Sequence, residues 1–152
     1  IVEHNVSGQM KVAPEHNNPK VLAAMRKNSK YLILFKKMFD ELNRKKGKKQ
    51  FLTYYFMAAH PGCGINEMNE LASFLKKEIG ISPEQAQIFT PTPSTYSTLM
   101  YYTGMDPFTM ENIFVEKNQR GKQVQKDKIT NAIRKNNFRG KPIKQSKSID
   151  SF

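Results

Sequence analysis

Gln50-Phe-Leu-Thr-Tyr-Tyr-Phe-Met-Ala-Ala-His60-Pro-Gly-Cys-Gly64 is the stretch that decides the fold. Phe51 to Ala59 is a run of nine uncharged, mostly large or β-branched residues, too short to cross a membrane. Its length and the glycine-bearing break behind it fit a strand better than a helix. Apolar and polar residues do not alternate along it, which predicts a strand covered on both faces, as in a parallel sheet wrapped by helices. The run ends in His60-Pro61-Gly62-Cys63-Gly64, and the loop leaving the carboxyl end of such a strand is where α/β proteins bind ligands.

Working outward, Gln9 to Ala13 reads as a short strand that runs into the loop Pro14-Glu15-His16-Asn17. Asn18 caps a helix with Pro19 at its first position and Val21, Leu22 and Met25 on its apolar face. Ser29 caps a second helix, on which Tyr31, Leu34, Phe35, Met38 and Leu42 predict one buried stripe. Arg44, Lys45 and Lys46 suit its negative end, and Gly47 fits the position after it. Past the central strand, Asn66 caps a third helix carrying Met68, Leu71, Ala72, Leu75 and Ile79, stopped by Gly80. A third strand, Gln85 to Thr90, enters Pro91-Thr-Pro-Ser-Thr95, and Ser97 to Tyr102 forms a short helix closed at Gly104. Val124, Ile129 and Ile133 mark one more helix. The alternation of strand and helix predicts three parallel strands joined by right-handed crossovers. Three strands do not cover themselves on both faces, so the sheet is either small and open or an arc of a larger barrel.

At 152 residues the chain is one domain's worth or a piece of one. It begins at Ile1 with neither an initiator Met nor a signal-peptide pattern, which implies a shortened N-terminus. Cys63 is the only cysteine, which excludes a disulfide frame and suits a reducing, cytoplasmic setting. The +12 charge is unevenly placed. Residues 1–116 hold 14 Lys/Arg against 11 Asp/Glu, whereas residues 117–152 hold 11 Lys/Arg against Asp127 and Asp150. The excess therefore belongs to the tail, whose last part, Asn137 to Phe152, reads as a loose, partly disordered end. Such a tail attracts nucleic acid nonspecifically, though it carries no RNA-recognition, KH or helix-turn-helix signature.

Three strand ends carry polar groups: Glu15-His16, His60 with Cys63, and Thr92, Ser94 and Thr95. Parallel neighbours would open all three loops on one rim. A zinc site from His16, His60 and Cys63 lacks a fourth ligand, and no metal is expected. A Cys63–His nucleophile pair has no support from spacing, and no catalytic residue is assigned. Tyr54, Tyr55 and Phe56 read as core. No phosphate-cradling glycine-rich loop is present.

Several unusual blocks occur in one order: Lys11-Val-Ala-Pro-Glu-His16, Gln50-Phe-Leu, His60-Pro-Gly-Cys63, Phe89-Thr-Pro-Thr-Pro93, Met100-Tyr-Tyr-Thr-Gly104 and Asp106-Pro-Phe-Thr109. From about Gln9 to Val115 the chain resembles the C-terminal part of the YgiQ family of radical S-adenosylmethionine proteins. The resemblance implies that residues 1–110 are the second half of a partial (β/α)6 barrel and residues 111–152 a basic C-terminal extension. In such enzymes a [4Fe–4S] cluster on a three-cysteine loop cleaves S-adenosylmethionine to a 5′-deoxyadenosyl radical. That loop belongs to the first half of the barrel, so the chain alone is expected to hold no cofactor and to be inactive. The resemblance places Glu15 and His16 by the ribose of S-adenosylmethionine and Lys27 near its methionine carboxylate. It places His60, Pro61, Gly62, Pro91, Thr92 and Pro93 at the ends of the following strands, around the adenine. The partners it implies are the missing N-terminal half and, for the isolated chain, further copies of itself. The rival expectation is a non-catalytic module binding RNA through residues 117–147.

Overall fold

The computed structural model describes residues 2–28, 30–81, 83 and 85–133. Its elements are β1 (Gln9–Glu15), α1 (Pro19–Ala24), α2 (Leu32–Lys45), β2 (Phe51–Ala58), α3 (Ile65–Phe74), β3 (Gln85–Ile88), α4 (Tyr96–Thr103) and α5 (Gln119–Thr130). The three strands are parallel, in the order β1-β2-β3, with Met10 opposite Leu52 and Phe56 opposite Ala86. The decisive run is thus the central strand of a parallel α/β sheet.

On one face of β2, Leu52, Tyr54, Phe56 and Ala58 are buried. They join Met10 and Val12 of β1 and Ala86 of β3, beneath Met68 and Leu71 of α3, Leu75 and Ile79 of the single π-turn that extends it, and Ile129 of α5. The other face differs from the expectation that both would be covered. Gln9, Lys11, Ala13, Gln85 and Gln87 are exposed there, with Thr53, Tyr55 and Met57 between them. Gln9 Nε2 donates to Thr53 Oγ1 at 3.0 Å, Lys11 Nζ to Gln85 Oε1 at 3.2 Å and Tyr55 OH to Gln87 Oε1 at 2.6 Å. The uncharged run conceals this alternation because Thr and Tyr satisfy their polar atoms sideways, across strands.

Helix ends follow local chemistry. Asn18 Oδ1 accepts from Lys20 N and Val21 N, as the capping pattern predicts. Gly64, rather than Asn66, caps α3, and the Glu67 carboxylate accepts the Gly64 N–H at 2.9 Å. The expected buried stripe of α2 is corrected: Tyr31, Leu34, Met38 and Leu42 are exposed. The helix buries Phe39 and Asn43 instead, with Leu32, Ile33 and Phe35 partly covered. Its apolar arc is wider than one stripe, and the core takes the other half. Asn43 tolerates the inward position because its Nδ2 donates to Phe39 O and its Oδ1 accepts from Gln50 N.

Residues 119–130 of the basic run form α5, packed on α3, β3 and β2. The loose end expected from Asn137 onward, and the Ser29 cap, lie outside the described residues. Among the described residues no helix is long and apolar enough to cross a membrane.

Candidate functional site at the carboxyl rim of the sheet

Two strands leave the sheet through a left-handed residue, Glu15 at φ 65° and Ala59 at φ 58°, and Ser94 at φ 63° lies further on in the loop after β3. For a residue with a Cβ this conformation costs about 1–2 kcal/mol. It persists where the surroundings over-determine it, ligand loops among such places. Gly62 has a second reason to be glycine. At φ 86°, an added Cβ would stand 3.3 Å from Ile113 Cδ1, and Gly62 N donates to Phe114 O at 2.8 Å.

Beneath the rim lies a buried polar knot. His16 is fully enclosed, and its Nδ1 accepts from Asn18 N at 3.0 Å. That bond leaves the proton on Nε2, 3.6 Å from Cys63 Sγ. Cys63 in turn lies 3.5 Å from Gln125 Oε1. Gln125, reaching in from α5, accepts from Ala59 N at 2.9 Å and donates to Cys63 O at 3.1 Å. Desolvation lowers the His16 pKa to about 4, the nearby Glu67 opposing and His60 adding to the shift. Burial pushes the Cys63 thiol up to about 12. A neutral imidazole beside a protonated, inaccessible thiol is not an activated nucleophile.

His60 joins the second loop to the third. Its Nδ1 donates to Pro61 O and its Nε2 accepts from Ser97 Oγ, both at 2.8 Å, and Phe89 packs edge-on at 5.1 Å. Burial lowers its pKa, so the neutral form is held.

The more accessible part of the rim is Glu15, Lys27, Gly62 and Pro91-Thr92-Pro93, with Thr92 and Pro93 exposed. Lys27 Nζ pairs with Glu15 Oε1 at 2.9 Å. The other carboxylate oxygen, Glu15 Oε2, is buried without a partner, as is Asn17 Oδ1. The Thr92 carbonyl is occupied, accepting from Thr95 Oγ1 and Thr98 Oγ1. The structure therefore brings the Glu15, His60 and Thr92 loops to one edge of the sheet, while His16, His60 and Pro61 sit under its surface.

Among the described residues no group of three His, Cys, Asp or Glu is placed to hold a metal ion. Sequence reasoning missed Gln125, whose only signal is its place four residues before the buried Ile129, on the same helical face. It also missed Lys122, nearly fully buried three residues earlier on that face, whose Nζ donates to Tyr101 OH at 2.9 Å.

Fold and rim define the chain as a parallel α/β sheet whose strand ends converge on one polar edge. In sequence it is similar to UPF0313 proteins. It is 54% identical over 131 residues to one from Fusobacterium nucleatum, covering 86% of this chain and 23% of that protein. It is 49% identical over 123 residues to one from Thermotoga neapolitana, covering 80% and 22%. With one from Clostridium perfringens it shares 46% identity over 127 residues, covering 83% and 19%. The chain thus spans about a fifth of the length of these relatives. Residues 84–138 match a family model described as a domain of unknown function, DUF3362.

Proposed function

We propose that this chain is the cofactor- and substrate-facing portion of a larger cytoplasmic radical S-adenosylmethionine enzyme, forming the second half of its partial barrel. The observation that carries the reading is the unpartnered, buried Glu15 Oε2 at the carboxyl end of β1, beside Lys27. A carboxylate oxygen enclosed without a donor fits the hydroxyls of a ribose, and Asn17 Oδ1 offers a second acceptor. The exposed polar face of the sheet supports the same reading, because a barrel needs one face packed and the other facing its lumen.

The residues fit S-adenosylmethionine better than they fit the cluster. Cys63 is the sole, enclosed thiol, so the cluster ligands must come from elsewhere in the longer protein. Cofactor and cluster, when bound, supply the radical chemistry; this chain binds and orients. Glu15 accepts hydroxyl donors, and Lys27, now held by Glu15, is the cation in reach of a carboxylate. His60 fixes Ser97 and so sets α4 against the second loop.

The test is anaerobic reconstitution of the full-length protein with iron and sulfide, followed by S-adenosylmethionine, with 5′-deoxyadenosine as readout. The reading expects product from the wild type. It also expects Glu15→Gln to bind S-adenosylmethionine roughly 10–100-fold more weakly, the value of a hydrogen bond to a charged acceptor. A wild type that forms no iron–sulfur chromophore sinks it.

A further inference from the structure

We infer that Arg26, Tyr96 and Phe108 form a stacking platform for single-stranded nucleic acid, a site that needs neither the cofactor of the proposed function nor the basic tail.

The three residues come from separate places in the chain. Arg26 follows α1, Tyr96 opens α4, and Phe108 sits in the turn beyond α4. The Arg26 guanidinium carbon lies 3.6 Å from the centre of the Phe108 ring, too close for any but a flat, stacked approach. Tyr96 meets the same ring at a steep angle, 4.6 Å between centres and 63° between planes. Tyr96 is 60% exposed and Phe108 47%, and Arg26 is exposed as well, so the stack belongs to the surface and not to the core. The backbone fixes its parts. Arg26 holds φ 54°, and Phe108 N donates to Asp106 Oδ1 at 2.9 Å in a turn closed by Met110 N on Asp106 O. Met110 holds φ 59°. Residues with a Cβ keep such angles only where their surroundings impose them.

What the platform offers selects its ligand. Among the described residues the Arg26 guanidinium meets no carboxylate and no hydrogen-bond acceptor, so its N–H fork is unspent. A guanidinium stacked on a ring keeps its donors in plane, pointing past the ring edge, where a phosphate accepts two of them. The exposed rings beside it are surfaces on which a base stacks. A neutral sugar brings no anion to the fork. An apolar protein face would bury the guanidinium as a desolvated, unpaired charge. A strand in which phosphate alternates with planar base answers both halves of the platform, and the +12 charge of the chain attracts a polyanion.

The test is fluorescence anisotropy of the full-length protein with a labelled oligothymidylate of about ten nucleotides and with an abasic strand of equal length. The basic tail holds both strands alike through their phosphates, whereas the platform favours the one with bases. The wild type should bind the oligothymidylate at least about fivefold tighter, the least that one stacked base is worth. Tyr96→Ala/Phe108→Ala should erase that preference and leave affinity for the abasic strand unchanged. Arg26→Ala should lower the slope of log affinity against log salt by about 0.7, one phosphate's share on a single strand, and Arg26→Lys should keep it. Equal affinity of the wild type for the two strands overturns the inference, since the tail alone would then be the binder. A preference that survives the double substitution, or an Arg26→Ala slope equal to that of the wild type, overturns it too. So does a double variant that melts well below the wild type, because the rings would then be packed against the remainder of the longer protein. If no iron–sulfur chromophore forms while the base preference and its loss are both seen, the cofactor reading falls and the platform stands.

Discussion

Acid should loosen this protein through its buried imidazoles, and the share of His16 can be isolated. Folding removes its imidazole from water and gives its Nδ1 a donor, Asn18 N–H, so the protonated ring would lose solvation and face a second N–H at once. The folded-state pKa of about 4 lies below the ordinary 6.5 expected of the unfolded chain. The unfolded state therefore binds the proton first, and stability falls as pH drops from 6.5 toward 4, then levels. Each decade of proton affinity is worth about 1.4 kcal/mol, so the full gap gives a loss of about 3 kcal/mol, of which about 2 kcal/mol has gone by pH 5. The assay is urea denaturation followed by circular dichroism at intervals from pH 7.5 to 4, on the wild type and on His16→Gln. The variant starts less stable, since it disturbs the Cys63 contact, but lacks the titration. The stability gap between the two proteins should therefore shrink by about 3 kcal/mol across the window. His60, whose pKa burial also lowers, is kept in both proteins, so its own response to acid falls on both curves. A gap that stays constant from pH 7 to 4 would refute the account of His16 as a desolvated, neutral ring.

Gln125→Ala should cost about 3 kcal/mol, because the Ala59 amide and the Cys63 carbonyl both lose a buried partner; chemical denaturation reads it directly. Gly62→Ala should cost about 1–2 kcal/mol from the left-handed backbone alone, more if Ile113 does not yield. Nitrogen–proton NMR shifts confined to residues 59–64 and 113–114 would locate that strain, and an unchanged melting curve would count against it.

How much of this was legible in the letters depended on whether a residue's neighbours lie close in sequence. The strand at Phe51–Ala58, the Asn18 cap and the stops at Gly80 and Gly104 follow from local stereochemistry, and the structure places all of them. The stripe of α2 did not survive, because spacing reports that a face is apolar but not which half of a wide apolar arc the core takes. The polar face of the sheet was hidden for a related reason. Thr53 and Tyr55 look compatible with a buried run until Gln9 and Gln87 are seen beside them, 44 and 32 residues away. At the rim, the three loops could be foreseen from the parallel order, but their division into a buried knot and an open edge could not. That division depends on Gln125, 62 residues from Cys63. Nothing in a basic helix of hydrophilic composition announces such a reach.

The stretch matched by the family model, residues 84–138, should not fold alone, judged from its described part, residues 85–133. It opens at β3, four residues long, whose described ladder runs only to Tyr55–Ala58 of β2. A strand that short does not persist without its neighbour. Within the same stretch, α5 buries Ile129 in the common core with Phe56 and Met68 and spends Gln125 on the loop after β2. Cut from residues 1–83, the segment leaves those apolar groups in water and Gln125 with no buried backbone to bond. A fragment of residues 84–152 should therefore give the circular dichroism spectrum of an unfolded chain and no cooperative melt. If it melts cooperatively as a monomer, α5 is held by something other than the sheet. The coupling of this segment to the His60–Gly64 loop would then fail as well. If it does not, substitutions in α5 reach the loop after β2 through Gln125, 62 residues from Cys63 in sequence.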